Sequence, residues 1–495
     1  MRTTWRTMEV SDRRWTEEEF LAERGAALKE WPTGSEVDLD EAIAYHRDLP
    51  DHRVQPKQLA RVKAEGGIMI LPQLGQARLE TMEEFIRFVE GECGMTDWND
   101  SWFLILDAYS RKKRFDAVDK AIQASTEAGV NLLSGYPAVN HGVKGFRKLM
   151  EVSGHSMHLS TLDEDPRLCT EITLAGGATG YLSYDIHDVM QHSRDFPLDR
   201  RIHNHQYISR LAAYYTERGA PILAWPAGHN NGWEPPGIKL AMVILQALES
   251  ARQGVKHIAC SYGLMANVDQ DVAALRVVRR LLDEYLAKRG LNDVQTYAGT
   301  YPHLGTWPVD VIQCSAQMAW EATISRMGGA HFMYLKSPDE ASSTPSREGI
   351  GAEVKIAKHM CNVLGSFSLG MTDSMKEEEA MLDLEVRAIV DAVLEIGDGD
   401  PSNGMIKAVE RGVLDAVFSP WVHVKNRLLT VRDREGAYRY LDHGNLPLPA
   451  AVLRFHKAKI EARSKADNKK ADIDMVTEDL YHLARPVGTH VFSKL

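Results

Sequence analysis

The chain has 495 residues, 44% of them hydrophobic and 26% charged, with a formal net charge of −11. That composition supports a large core with appendages, and the acidic balance excludes the basic footprint of a nucleic-acid binder. No apolar run reaches the roughly 20 residues that span a bilayer, the N-terminal stretch lacks the apolar core of a signal peptide, and five cysteines without C-x-x-C spacing fit neither a disulfide framework nor a structural zinc site; a cytoplasmic protein with no membrane or nucleic-acid partner is expected.

Residues 1–62 read as a charged helical arm, TEEEFLAERGAALKEW and DLDEAIAYHRDL, with a turn at 31–36 and Asp38 or Asp40 as a cap. Strand and helix signals then alternate. Strand candidates fall at 66–74, 103–106, 131–137, 155–163, 179–188, 220–230, 255–264, 294–305 and 329–341. The unit over 103–145 sets the pattern: apolar run, polar tip, helix, then a second run and tip. Sustained alternation implies a parallel sheet, and the predicted class is α/β: a (β/α)8 TIM-type barrel over 63–345, the N-terminal helical arm over 1–62, and a C-terminal helical and irregular cap wrapping over 346–495. Nine candidates stand where eight are wanted, so one lies outside the barrel or one boundary is wrong. No G-x-G-x-x-G follows the first strand, which disfavours a dinucleotide fold.

In such barrels chemistry gathers at the carboxyl ends of the strands. Tyr109, Arg111 and the Asn140-His141 pair sit at predicted tips. The Arg111 guanidinium suits a carboxylate and stays charged. His203-Asn-His205 together with His229 offers an alternative, a metal-dependent barrel hydrolase, although polar residues at a helix start are the better reading of the H-x-H pair.

Several stretches together resemble the large (epsilon) subunit of glutamate mutase, also called methylaspartate mutase: DAYSRKKRF (107–115), GYPAVNHG (135–142), PRLCTEITLAGG (166–177), DVAALRVV (271–278), KSPDEA (336–341), IKAVERGVLDAVFSP (406–420) and VRDREGAYRYLDHGNLP (431–447). The resemblance implies an adenosylcobalamin-dependent radical rearrangement of the L-glutamate to 3-methylaspartate type. It implies a barrel that binds the substrate and the adenosyl end of the cofactor. A separate small subunit would carry the cobalt through a D-x-H-x-x-G motif, in a heterotetramer of two large and two small subunits. The nearest match to that motif here, Asp185-Ile-His187-Asp-Val-Met190, lacks the glycine, and no metal ligand is expected in this chain.

Carried over position by position, Arg111 and Tyr184 match substrate-contacting, catalytic positions, Lys336 and Glu340 the pair that contacts the adenosyl group, and Gly75 and Ser134 positions beside the corrin. The family's other two carboxylate-binding arginines are replaced by Gln73 and Ser160, a second tyrosine by Asp188, and a corrin-contacting asparagine by Ser134. The segment that should supply a glutamate base near the substrate amine is shortened between Gly177 and Tyr184, where Tyr181 has no clear counterpart. Arg78 and His158 are the candidates for compensation. The expectation is a mutase large subunit acting on a small molecule other than glutamate; the alternative within the same fold is a non-catalytic relative.

Overall fold

Strand residues alternate between two cores, and that alternation sets the architecture. The computed structural model describes residues 6–161, 163–183, 185–226, 233–303, 305–367 and 370–485. Along Ser101–Ile105 every side chain is buried, yet Phe103 and Ile105 join one apolar cluster while Trp102 and Leu104 join another. A strand covered on both faces reads as a continuous apolar run for this reason. Nine parallel segments behave alike: β1 (Met69–Leu71), β2 (Gln73–Leu74), β3 (Ser101–Ile105), β4 (Ser156–Ser160), β5 (Gly180–Ser183), β6 (Leu223–Pro226), β7 (His257–Gly263), β8 (Gln295–Tyr301) and β9 (Phe332–Tyr334). They bond in the order β1-β9-β8-β7-β6-β5-β4-β3-β2. β1 and β2 flank Pro72, which has no N–H to give a ladder. β1 pairs with β9 and β2 with β3, so they are two halves of one stave. The ring closes with eight staves, a TIM-type (β/α)8 barrel, as the alternation implies.

The surplus strand candidate is 131–137. That run makes only an isolated bridge between Leu106 and Tyr136. Helices Phe115–Ala128 and Ala138–Val152 both lie between β3 and β4, so the run joins two helices and Leu132 is exposed. The candidate at 179–188 is also too long: β5 ends at Ser183 and a helix, Asp185–His192, follows.

The arm holds the two expected helices, Glu17–Ala27 and Leu39–Asp48, the second capped by Asp38 through the N–H groups of Asp40 and Glu41. A third helix, Gln55–Glu65, absent from the sequence reading, plugs the amino-terminal end of the barrel. Its Gln55 Nε2 donates to Ser101 Oγ (2.8 Å) and lies 2.8 Å from His158 Nδ1. Gln58 Oε1 accepts from Ser156 Oγ (2.6 Å) and Lys63 Nζ donates to Thr296 O (3.0 Å). Leu59 joins the barrel interior with Phe103, Trp225, Tyr297, Tyr301, Phe332 and Tyr334. His158 stacks on Trp225 with centroids 4.7 Å apart and lies 3.0 Å from the Tyr334 hydroxyl. Burial lowers its pKa to about 3, so it is neutral. Gly180 makes this stack possible, because a Cβ there would run into Gln55 and the Trp225 ring nitrogen.

Outside, the Arg347–Leu364 helix packs between Val311–Met327 and Leu79–Glu92 and completes the helical ring, although it lies in the stretch read as cap. Asp373–Ile396 packs on Val268–Lys288 and Pro236–Arg252. The hairpin β10 (Leu428–Arg432) and β11 (Tyr438–His443) is tied to the barrel helices by Gln270, which donates to Tyr438 O and accepts from Tyr438 N. All five cysteines are free. No described helix is long and apolar enough to cross a membrane.

The hairpin's anchor is Arg439, 2% exposed, which donates to Glu378 Oε2 (2.9 Å) and Asp433 Oδ2 (2.8 Å). Removing one partner of a buried ion cluster strands the others, at about 3–5 kcal/mol. Arg439→Ala is therefore expected to lower the thermal unfolding midpoint by several degrees, read by circular dichroism; an unchanged midpoint would contradict this anchoring.

Candidate active site

Beyond β3 the chain turns on Asp107. Its Oδ1 accepts from the N–H groups of Tyr109 (2.9 Å) and Ser110 (3.0 Å), a side-chain turn of the kind aspartate favours. The short 3-10 turn Ser110–Lys112 follows and brings Arg111 back over the strand tip, where its Nε donates to Leu106 O at 3.0 Å. Arg111 forms no ion pair with a described residue. Burial pulls its pKa below the ordinary value, while Asp188, Asp107, Tyr301 and Asp163 favour its charge.

Arg111 lines a cavity of about 330 Å³ together with Asp163, Glu164, Asp188, His192 and Arg201. Arg201 comes from the first turn of the Leu198–Glu217 helix and is fully buried. Its Nη2 donates to Ser183 Oγ (3.1 Å) and Asp188 Oδ2 (3.2 Å), and its Nε and Nη1 have no partner among the described residues. Asp163 is 5% exposed, its Oδ1 has no partner, and burial raises its pKa well above the usual carboxylate range. His187, Asp188 and His192 bring ligand-type atoms within 4.8 Å of one another, but the Arg201 guanidinium against Asp188 opposes a cation there.

Across the mouth, two residues past β9, Lys336 Nζ lies 2.7 Å from Glu340 Oε1. No helix runs through Ser337-Pro338, so the pair is not an ordinary i,i+4 contact on a helix face. Burial works against the Lys336 charge, but Glu340, Tyr301 and Glu353 outweigh it and its pKa is raised. Glu353 is buried; its Oε1 accepts from Gln73 N (3.0 Å) and its Oε2 has no partner. Burial raises Glu353 well above its ordinary value and lifts Glu321, which accepts from His303 N (3.0 Å), to about 8. Burial raises the pKa of Tyr301, at the end of β8; the charges of Lys336, Glu340 and Arg111 act on it more weakly.

The remaining positions singled out in the sequence divide as follows. Ser160 and Gln73 pair in register with Ile105 and Phe103, which face the interior, so both face the barrel axis; Ser160 Oγ and Gln73 Oε1 are buried without partners. Gly75 packs against Gly135, the residue after Ser134. A Cβ on Gly75 would lie 2.9 Å from Gly135 Cα, and Ser134 is exposed. Tyr184 and His229 lie outside the described residues. His205 lies 2.8 Å from Ser250 Oγ while the His203 ring lies tilted against Trp15, so the H-x-H pair does not converge. Asn140 and His141 do not reach the cavity: they bond to Phe115 O (3.0 Å) and Ala77 O (2.8 Å) from a helix. Tyr181 faces outward onto Ser209. His158 is spent in the barrel core, and Arg78 precedes the Leu79–Glu92 helix with Glu80 at 3.8 Å. Neither of these compensates in the cavity. Asp163, Arg201, Tyr301, Glu321 and Glu353 were missed; a polar residue at a strand tip marked Asp163, whereas Arg201 comes from a helix distant in sequence.

The chain matches the family described as methylaspartate mutase E chain (MutE) over residues 49–488. It is similar to proteins named glutamate mutase epsilon subunit: 34% identical over 97% of this chain and 98% of the relative from Desulfitobacterium hafniense. The corresponding values are 32% over 95% and 96% for Treponema denticola, and 31% over 96% and 98% for Yersinia enterocolitica.

Glu321 sets a pH test. Its carboxyl ionises near 4.5 when solvated and near about 8 in the fold, so the stability tied to it is full below pH 4.5 and falls as pH rises toward 8. Glu321→Gln is expected to lose that slope, its unfolding midpoint rising relative to wild type across this window in thermal melts.

Proposed function

The chain belongs to the methylaspartate mutase E chain family, and from that membership we propose that it is the catalytic large subunit of an adenosylcobalamin-dependent carbon-skeleton mutase acting on a substrate other than glutamate. The carrying observation is the Lys336–Glu340 pair at the barrel mouth, joined through Tyr301 to the Arg111 cavity. In this reading 1–62 is an arm, 63–345 carries most of the site and 346–495 caps it, apart from the Arg347–Leu364 helix, which packs in the helical ring and brings Glu353 to the mouth.

The residues present fit the adenosyl end of the cofactor. Glu340 is partly exposed beside Lys336, and a carboxylate suits ribose hydroxyls. Unpartnered Gln73 Oε1 and Ser160 Oγ face the same axis. When bound, the cofactor supplies a homolysable cobalt–carbon bond and thus an organic radical. The cobalt would be held by a separate small subunit in a heterotetramer of two large and two small chains, in the cytoplasm. Lys336 and Glu340 would hold the sugar, Arg111 would hold a substrate carboxylate, and Gly75 and Ser134 would lie on the corrin side. Tyr184 is assigned to the substrate from the family pattern alone. The barrel walls exclude water and keep the migrating group near its acceptor.

Glutamate is disfavoured by Gln73 and Ser160. Each charge-assisted hydrogen bond to a carboxylate contributes about 1.5–3 kcal/mol, so two missing arginines remove several powers of ten in affinity.

Mixing the chain with its small subunit and adenosylcobalamin is expected to give a substrate-dependent paramagnetic signal, with Glu340→Gln and Lys336→Met reducing it about tenfold or more. Arg111→Lys, which loses the fork, should raise KM more than it lowers kcat. Silence with glutamate, 2-oxoglutarate and aromatic amino acids alike would overturn the proposal, and cobalamin-dependent association without turnover would identify a non-catalytic relative.

A further inference from the structure

Behind the tips of β8 and β9, between those strands and the helices Val311–Met327 and Arg347–Leu364, lies a small cavity of about 10 Å³, lined by Thr300, Glu321, Ser325, Lys336 and Glu353 among largely apolar neighbours. It is separate from the Arg111 cavity. Most of its polar wall is satisfied within the fold. Ser325 Oγ donates to Glu321 O (2.7 Å) and lies 2.6 Å from Thr300 Oγ1. Ser325 has one hydroxyl proton, so Thr300 donates to it and keeps acceptor capacity. Glu321 Oε1 accepts from His303 N (3.0 Å) and Gln317 Nε2 (3.1 Å). Two groups keep unused capacity. Lys336 has three donors and gives one to Glu340 (2.7 Å). Glu353 is fully buried, its Oε1 accepts from Gln73 N (3.0 Å), and its Oε2 has no partner among the described residues.

We propose that one ordered water occupies this cavity, bridging Glu353 Oε2, Lys336 Nζ and Thr300 Oγ1, and that Glu353 is thereby the positioning residue that holds Lys336 against Glu340. A single water needs about 10–15 Å³ and two to four polar partners, and the cavity offers both. Lys336 reaches Glu340 across Ser337-Pro338, where no helix fixes the two side chains, and a flexible aliphatic stem needs a second partner to stay in one rotamer. Glu353 supplies that partner from the outer ring of helices, itself tied to the split stave through Gln73 N. The water follows from the cavity alone; its consequence for binding rests on the reading of Lys336 and Glu340 as the pair that contacts the sugar.

The groups facing Glu353 favour its neutral form. Burial raises its pKa well above the ordinary value, the Gln73 N–H and Lys336 lower it by less, and Glu340 and Asp339 raise it further. Glu321, from the helix Val311–Met327, shares the cavity. A protonated Glu353 donates to the water and leaves the ammonium charge of Lys336 to Glu340, whereas an ionised one would compete with Glu340 for that charge. Glutamine reproduces the protonated carboxyl, since its carbonyl accepts from Gln73 N and its amide donates to the water. Methionine keeps the length and offers no donor.

High-resolution crystal structures of the full-length chain and of its Glu353→Gln and Glu353→Met variants test this, with isothermal titration of 5′-deoxyadenosine as the second readout. Wild type and Glu353→Gln are expected to show one water within hydrogen-bond distance of the side chain at 353 and of Lys336, with the Lys336–Glu340 contact intact. Glu353→Met is expected to lose both the water and the contact and to bind 5′-deoxyadenosine about tenfold or more weakly, while Glu353→Gln binds it within about twofold of wild type. A wild-type cavity without a water, an unchanged Lys336–Glu340 contact in Glu353→Met, or equal weakening by both substitutions would overturn the proposal. Should the methionine variant not fold, the wild-type and Glu353→Gln structures decide alone. The water and the displaced lysine without any 5′-deoxyadenosine binding by wild type would leave Glu353 in its role and remove the adenosyl assignment; binding lost in Glu340→Gln but unchanged in Glu353→Met would do the reverse.

Discussion

Closure of the barrel is the constraint on which the rest depends. A parallel ring leaves inward-facing side chains no route to water except at its two ends, so each polar group inside must find a partner or face a mouth. At the amino-terminal end the partners are supplied by Gln55 and Gln58 of the plugging helix, which satisfy Ser101, Ser156 and His158. In the middle, aromatic rings fill the axis. At the carboxyl end the satisfaction stops. Gln73 Oε1, Ser160 Oγ, Asp163 Oδ1 and Glu353 Oε2 are buried without partners, and so are two nitrogens of Arg201. The unpartnered polar atoms gathered at the carboxyl end would be satisfied by a polar occupant.

Charge at that mouth is divided rather than pooled. Lys336, Glu340, Glu353 and Glu321 gather where β8 and β9 meet β2, and Arg111, Asp107, Asp163, Asp188 and Arg201 gather beyond β3 to β5. Tyr301 stands between them. Low dielectric keeps both groups strongly coupled to their own neighbours.

Much of the frame was legible before any coordinates. Apolar runs marked the eight staves because strands buried on both faces must be apolar throughout, and Arg111 could be placed because it follows such a run directly. The errors have physical causes. Leu132 and Leu133 mimic a strand, but they connect two helices. The stave broken at Pro72 counts as one run in sequence and as two segments in hydrogen bonding. The helix Gln55–Glu65 escaped notice because its buried face is carried by glutamines as well as Leu59 and Val62, and a polar plug has no apolar period to read.

The sequence by itself determined the alternation of strand and helix, the family pattern and the tip position of Arg111, because these depend on local period and on residues adjacent in the chain. Tertiary structure alone decided which charges share a cavity. Asp163, Asp188 and Arg201 come from three separate segments, and their juxtaposition follows from how a helix folds over the end of β5. Burial then raised the pKa of Asp163, since desolvation depends on the surroundings in space and not on neighbours in sequence.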